Sequence, residues 1–265
     1  MTNVVITGST QGIGRGLAAE FCKRGNNVTI AGRDEQKLQE ALAALNNGPG
    51  NASGIRCDVT LAANVQALWE HARAQFGAID IWINNAGLAR TAWPILEVPQ
   101  TDIEAMISTN MVGTINGSRV AASGMKAQGQ GKIFNMLGGG SDGEYFPGMG
   151  IYGTTKRGLD YFSDALASEL AGTGVIVAKI RPGMIITEAV VREAREDLAN
   201  FEKSRGMMNN LVDTIETVAP FLVDRMMSTT KSGTKIRWLT GGKIGKRMLM
   251  ARIRKRPDQF EAFGL

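Results

Sequence analysis

Residues 3–24 read NVVITGSTQGIGRGLAAEFCKR. A short β-branched run, Val4, Val5 and Ile6, leads straight into Gly8, Gly12 and Gly14, and these lead into apolar residues at helical spacing. Glycine lets a backbone turn tightly and approach a pyrophosphate, and the helix that follows offers free N–H groups and the positive end of its dipole. The spacing is GxxxGxG rather than GxGxxG. A glycine turn alone says little, but one set between the first strand and first helix of an α/β pattern marks a dinucleotide site. Its candidate cofactor contacts are Gly8, Ser9, Gly12, Ile13 and Gly14.

Outward from this stretch, β-branched runs alternate with amphipathic ones, the pattern of a parallel sheet covered on both faces. Strands are predicted at 3–7, 27–31, 53–56, 79–83, 132–136, 175–180 and 235–239, and helices at 12–24, 34–46, 61–76, 101–128, 151–171 and about 213–227. No Pro-rich run or Gly/Ser tract interrupts the chain, so its 265 residues read as one α/β domain. Residues 186–212 break the rhythm. They are helical in composition but unusually polar, either a solvated surface helix or, after a Pro-Gly turn, a lid over the active site.

The second strand ends in VTIAGRDEQKL, at residues 28–38. A carboxylate at the strand end would bind a ribose 2′-hydroxyl, and an arginine would accept a 2′-phosphate. Ala31 and Gly32 close the strand and Arg33 follows, which points to NADPH over NAD; Asp34, the rival, reads as the N-cap of the next helix.

Residues 151–160 read IYGTTKRGLD. Tyr152 and Lys156 are four apart, one helical turn, so a phenol and a cation share a face. A free phenol has a pKa of about 10, too high for efficient proton transfer at neutral pH. A nearby positive charge favours its anion. This pair, about 140 residues after the glycine turn, points to nicotinamide-dependent redox chemistry. The plain alternative for Tyr152 is a buried aromatic on a helix face.

Composition excludes other chemistries. His71 is the only histidine, on a predicted helix, which argues against a histidine triad or a histidine metal site, and no metal is expected. Cys22 and Cys57 have no C-x-x-C spacing and read as free buried thiols of a reducing cytoplasm. The start of the chain does not read as a secretory signal, and no run approaches a membrane span. The net charge is +5, yet residues 231–256 hold ten Lys or Arg and no Asp or Glu, so the basicity belongs to the C-terminal stretch.

Together these residues resemble the short-chain dehydrogenase/reductase family over nearly the whole chain, from Thr7 to about Gly242. The resemblance is carried by the glycine turn, Asp58-Val59, Asn84-Asn85-Ala86-Gly87, Asn110, Tyr152 with Lys156, and Pro182-Gly183 followed by Thr187. It implies a single Rossmann-type doubly wound α/β domain over 1–242, with a seven-stranded parallel sheet, and a basic extension over 243–265. It also implies a homodimer or homotetramer. Tyr152 would donate a proton to a carbonyl oxygen, Lys156 would hold the nicotinamide ribose, and Asn110 would anchor a water relaying protons to Lys156. Asp58 and Val59 would contact the adenine, with Asn85, Ala86, Gly87, Pro182, Gly183, Ile185 and Thr187 as further cofactor contacts. One position departs from the family pattern: the serine expected thirteen residues before the tyrosine is Gly139. The nearest hydroxyl is Ser141, in the run FNMLGGGS, and a flexible glycine stretch would carry it into place; otherwise Tyr152 alone or a backbone N–H serves the oxyanion.

The same run, with the tail IRWLTGGKIGKRMLMARIRKR, resembles the chlorophyll b reductase branch and its bacterial relatives. Leu137 departs from the acidic residue expected in the plant enzymes. Residues 243–256 alternate basic and apolar side chains, which fits an amphipathic helix on an anionic membrane surface, a subunit contact, or a solvated surface helix. Phe260 and Phe263 would pin the end onto a neighbour. Nucleic acid is not expected, for aromatic interleaving is absent. The expected activity is NADPH-dependent reduction of an aldehyde or ketone on a bulky apolar molecule. The site would be walled by 88–94, 137–146 and the segment after Pro182, with Trp93, Tyr145, Phe146, Met184 and Ile185. The alternatives are a formyl reductase of the chlorophyll b type and a cofactor-binding sensor or scaffold without catalysis.

Overall fold

Val4, Val5, Ile6 and Thr7 are each at most 1% exposed, on both faces of their strand. Burial on both faces is what a central parallel strand covered by helices on either side requires. In the computed structural model, which describes residues 1–91, 93–254 and 256–265, this strand is β1 (Asn3–Thr7). It is followed by β2 (Asn27–Gly32), β3 (Asn51–Arg56), β4 (Ile81–Asn84), β5 (Gly131–Met136) and β6 (Val175–Arg181). Two short strands, β7 (Met184–Ile185) and β8 (Val212–Asp213), pair with each other, and β9 (Lys235–Arg237) returns to the main sheet. That sheet has seven strands, all parallel, in the order β3-β2-β1-β4-β5-β6-β9. The order reverses between β1 and β4, and a crevice at such a switch point, beyond the carboxyl ends of the strands, is where doubly wound folds bind ligands.

Helices α1 (Gly12–Lys23), α2 (Glu35–Leu45), α3 (Ala62–Phe76), α4 (Gln100–Met106), α5 (Gly113–Gln128) and α6 (Gly150–Glu169) connect the first six strands. The period-two alternation of the strands divides the core. Val4, Ile6, Ile30 and Ile83 pack with Leu17 and Phe21 of α1 and with Leu222 of a later helix, α9 below. Val5, Trp82, Ile133 and Val177 pack with Leu68 and Trp69 of α3 and with Ala121 and Met125 of α5. Helices α7 (Glu188–Glu196) and α8 (Leu198–Leu211) lie between the two short strands, α9 (Ile215–Ser228) follows, and α10 (Gly241–Ile253) lies beyond β9.

The elements expected from sequence are present, with three differences. The helix predicted over 101–128 is broken by a π-helical turn at Ile107–Val112. Inside it Asn110 is clamped to another segment, and π turns inside helices often mark such functional insertions. The helix predicted from 213 starts at Ile215, because Val212 and Asp213 pair with Met184 and Ile185. The C-terminal aromatics do not await a neighbour: Phe260 is fully buried in a small third core with Ile186, Ala194, Phe201 and Val212, edge-on to Phe201, with Phe263 and Leu265 packed alongside.

That third core ties the tail to 186–213. Asp213, only 2% exposed, accepts from Trp238 Nε1 at 2.6 Å, from Arg247 at 2.9 Å and from Arg256 at 2.8 Å. Lys243 stands 3.0 Å from the centre of the Trp238 ring. Much of the tail's positive charge is therefore used within the chain. Met248, Leu249, Met250 and Ile253 of α10 remain exposed. Lys255 of this stretch and Ala92 of the expected wall 88–94 lie outside the described residues. Among the described residues no helix is long and apolar enough to cross a membrane.

Candidate active site

The glycine turn lies between β1 and α1 as its sequence demands. Gly8 has φ +63°, and a Cβ there would stand 2.6 Å from Ala86 Cα, so only glycine fits. A Cβ on Gly14 would collide with the Gly8 carbonyl and the Asn85 side chain, whereas one on Gly12 would make only ordinary contact with Thr187 and Glu188, at 3.6 Å. The turn is stapled internally. Ser9 Oγ donates to Ile6 O at 2.6 Å and accepts from Ala31 N at 3.0 Å. Asn85 Nδ2 donates to the carbonyls of Thr7 and Gly8 at 3.0 and 2.9 Å, and Thr7 Oγ1 accepts from the N–H groups of Asn85 and Ala86, both at 3.1 Å. Ser9 and Asn85 thus shape the cradle with their side chains, and Ile13 packs beneath it. A glycine turn at a helix N-terminus, with Gly8 and Gly12 at positive φ, fits a dinucleotide pyrophosphate.

At the outer end of the crevice Asp34 is used as expected, accepting from Lys37 N at 3.1 Å as the N-cap of α2. Arg33 is exposed, its carbonyl accepts from Arg56 Nε at 3.0 Å, and its guanidinium makes no hydrogen bond or ion pair among the described residues. Asp58 keeps one carboxylate oxygen on Thr60 N and Oγ1, at 3.0 and 2.8 Å. Val59 is buried, and its carbonyl accepts from Asn116 at 3.0 Å. Thr187 caps α7, accepting from Val190 N at 3.4 Å, and its methyl group stands over Gly12. Pro182 and Gly183 make the turn into β7, whose Ile185 is buried.

The reacting end is built on α6. A Cβ on Gly138 would collide with the Tyr152 hydroxyl, so the phenol lies against the backbone just past β5. Gly140, at φ +85°, approaches Gly153 so closely that a Cβ would be 2.6 Å from its Cα. Lys156, 4% exposed, donates to Met136 O at 3.0 Å, and its Nζ is 5.6 Å from the centre of the Tyr152 ring. Asn110 Oδ1 accepts from Leu88 N at 2.7 Å, and its Nδ2 donates to Leu88 O at 2.9 Å and to Thr155 Oγ1 at 3.0 Å. Gly87 faces both Asn110 and Lys156. Tyr152, Lys156, Asn110 and Gly87 therefore meet at one place.

Ser141 does not join them by a hydrogen bond. It is fully buried, its Oγ has no partner among the described residues, and its carbonyl accepts from Arg157 at 3.0 Å. The next residue explains why the turn holds it there. Asp142 accepts from Lys235 at 2.7 Å and Arg237 at 3.1 Å and pairs with Arg181, which also pairs with Glu144. Burial opposes the charge of Asp142, but these hydrogen bonds and the charges of Arg181 and Lys235 hold its carboxyl well below the usual range. The glycine stretch is pinned by charge rather than loose.

The electrostatics also differ from expectation. Burial pushes the Lys156 ammonium down to about 8. The Tyr152 phenol is pushed up to about 12, first by burial and then by the charge of Glu193. In the protein alone Lys156 is turned to a carbonyl, and the phenol holds its proton firmly. Glu193 and Thr91 carried no signal in the sequence: Glu193 lies in a polar helix with three other acidic or basic neighbours in the run REARE. A second unforeseen feature underlies the site. Asn84, the first residue of the NNAG stretch, accepts from Trp82 Nε1 at 2.8 Å and donates to Ser118 at 2.9 Å and Asn135 at 2.8 Å. Asn135 in turn donates to Ser163 at 2.9 Å. This buried polar chain ties β4 and β5 to α5 and α6, and fully satisfied networks of this kind rigidify a core.

A dinucleotide crevice at the switch point, with a phenol and an ammonium converging at its inner end, defines a redox enzyme of the Rossmann class. The short chain dehydrogenase family profile matches residues 2–198, and the chain belongs to that family of oxidoreductases. It is 37% identical over 249 residues to chlorophyll(ide) b reductase NOL of Arabidopsis thaliana, covering 90% of this chain and 70% of the relative. It is 36% identical over 260 residues to the probable chlorophyll(ide) b reductase NYC1 of the same plant, covering 91% of this chain. The match takes in only 51% of that relative, so the chain spans about half its length. Among solved structures, the closed form of a serine dehydrogenase complexed with NADP+ superposes with a TM-score of 0.79 at 29% identity, covering 89% of this chain and 94% of that one.

Proposed function

We propose that this protein is an NADPH-dependent carbonyl reductase in which Tyr152 protonates the substrate oxygen. The observation that carries the reading is the convergence of Tyr152, Lys156, Asn110 and Gly87 at the inner end of the crevice. Arg33, with a guanidinium that has no partner among the described residues, is the reader of a 2′-phosphate, and the carboxylate next to it is engaged in capping. NADPH, once bound, supplies hydride to the carbonyl carbon. Tyr152 holds a proton at its Oη against the wall at Gly138 and releases it as negative charge develops on the substrate oxygen. Lys156, whose ammonium is costly to bury and which donates to Met136 O, would hold the nicotinamide ribose. Asn110 fixes the 88–91 segment and, through Thr155, the helix of Tyr152.

The substrate is bulky and apolar. Phe146, 43% exposed, stands beside Gly139, and Trp93, Tyr145 and Met184, on the segments expected to wall the site, are also exposed. Residues 186–212 act as the lid, held down by the tail. The relatives named chlorophyll(ide) b reductases favour a second, narrower reading: reduction of a formyl group on a large macrocycle. NADPH oxidation with a panel of aldehydes, ketones and a formyl-bearing macrocycle tests both, beside calorimetric titration with NADPH and NADH. Turnover lost in Tyr152→Phe with NADPH binding retained supports the reductase. Tight NADPH binding without turnover of any carbonyl would leave a cofactor-binding sensor instead.

A further inference from the structure

Helix α10 is held to the body of the protein by one side. On that side Arg247 donates to Leu211 O at 3.0 Å and to Asp213 at 2.9 Å, and Lys243 stands over the Trp238 ring. Ile244 and Ala251, which share this side at helical spacing, are half-buried. The opposite side is inverted for a solvated helix, which would carry polar residues there. Its outermost line is Leu249 and Ile253, one turn apart and 60% and 77% exposed, with exposed Met250 beside them. Lys246 and Arg252 flank this ridge and Arg254 follows at its end. All three are exposed, and their side chains make no ion pair among the described residues.

The charge around the ridge narrows what can cover it. Residues 231–256 hold ten Lys or Arg and no Asp or Glu. A second copy docked ridge to ridge about a two-fold axis would bring two sets of Lys246, Arg252 and Arg254 together with no acid among them, and like charges in an interface repel. One helical ridge also falls far short of the ~800 Å² per partner that a stable protein interface buries. An anionic lipid surface answers both parts of the pattern. Acyl chains take Leu249, Met250 and Ile253, while the long stems of Lys246 and Arg252 let their charges reach the headgroups.

We propose that the outer face of α10 is a docking surface for an anionic lipid bilayer. The helix lies in the plane of the interface, with Leu249 and Ile253 at the acyl boundary and Lys246, Arg252 and Arg254 on the phosphate headgroups. So short an apolar ridge is too little for stable anchoring, so attachment is reversible and needs the charge. Each basic side chain near an anionic surface strengthens binding by roughly fivefold, and salt screens the effect. The inner contacts make this an organised surface rather than a loose tail: Arg247 and Arg256 on Asp213, and Phe260 in the third core, hold the helix in place. The proposal does not depend on the reaction catalysed.

The test is flotation of the purified protein with vesicles. At low salt the wild type should bind phosphatidylcholine vesicles carrying about one third phosphatidylglycerol at least about tenfold better than phosphatidylcholine alone. It should be released at about 1 M salt, where the Debye length is about 3 Å. Lys246→Gln, Arg252→Gln and Arg254→Gln together should weaken binding by about 100-fold. Leu249→Ser with Ile253→Ser should weaken it by at least about tenfold at unchanged charge. Both variants lie on the exposed side of α10, so thermal unfolding and NADPH affinity should match the wild type, which separates lost docking from lost folding. A wild type that leaves anionic vesicles unbound at low salt overturns the proposal. So does binding that is indifferent to headgroup charge, and so does binding that neither variant reduces. Self-association that rises with concentration and is abolished by Leu249→Ser with Ile253→Ser, without vesicle binding, gives the ridge to a second copy and also overturns it. Carbonyl turnover is read in none of these arms, so failure here leaves the reductase reading standing.

Discussion

The turn after β1 and the turn after β5 each run through three glycines at the carboxyl edge of one sheet, yet different forces hold them. Gly8, Gly12 and Gly14 are shaped from within, by Ser9, Thr7 and Asn85, all through uncharged hydrogen bonds to nearby backbone. Gly138, Gly139 and Gly140 are held from outside, by Asp142 on Lys235 and Arg237, 93 and 95 residues further along the chain. The first turn is indifferent to pH and salt because nothing in it titrates. The second depends on ion pairs that are partly open to solvent and so subject to screening. The cofactor end is therefore the fixed half of the site, and the substrate end is the half that conditions can adjust.

The largest expected effect separates the two halves. Tyr152→Phe should lower turnover by about 10²–10⁴-fold, the range for loss of a general acid, while NADPH affinity stays within about twofold by calorimetry. The converse variant is Gly14→Ala. Its Cβ collides with Gly8 O and Asn85, so NADPH affinity should fall by roughly 100-fold, and thermal unfolding should show a loss of about 1–3 kcal/mol. If instead Gly14→Ala bound NADPH normally, the first turn would be softer than its packing implies.

Lys156→Met sharpens the contrast between function and stability. The Lys156 pKa is depressed from 10.5 to about 8, so burying its charge costs stability below pH about 8, and the cost fades as pH rises from 8 toward 10.5. The variant should be inactive, yet more stable than wild type at pH 7 by roughly 2–3 kcal/mol in urea unfolding, with the gap closed near pH 11. Asp142→Asn should weaken the second turn alone: kcat should fall by roughly tenfold with NADPH affinity intact. The folded pKa of Asp142 is lowered, so its contribution is present above the ordinary carboxylate range and is lost as pH falls below it. The smallest effect belongs to Ser141→Ala. Its hydroxyl is buried and without a partner among the described residues, so kcat should change by less than about threefold and stability should rise by up to about 1 kcal/mol in the same unfolding assay.

The same contrast governs what the residues disclosed in advance. Sheet and cofactor crevice were legible because their signals are local: a β-branched run, glycines at fixed spacing, Asp34 before a helix, Tyr152 one turn from Lys156. The π turn at Ile107–Val112 was not, because its cause is a long-range clamp between Asn110 and Leu88. Nor was the short pairing of Met184 and Ile185 with Val212 and Asp213, since two-residue strands have no periodicity to read. Glu193 looked like one charge among many on a solvated helix, and only the fold turns it inward onto Thr91. The basic tail suggested an outside partner, while Asp213 and the pocket around Phe260 show that much of it is answered within the chain.

The placing of the four tryptophans has a consequence for observing this molecule at work. Trp69 and Trp82 stand 6.0 Å apart in the core, almost without exposure, so their emission reports the integrity of the fold. Trp93 is 49% exposed in the segment after β4. Trp238 is bound to Asp213, with the Lys243 ammonium over its ring. Replacing all but one with phenylalanine would give separate intrinsic reporters, for unfolding, for the segment after β4 and for the tail's hold on Asp213, in a protein that needs no added dye.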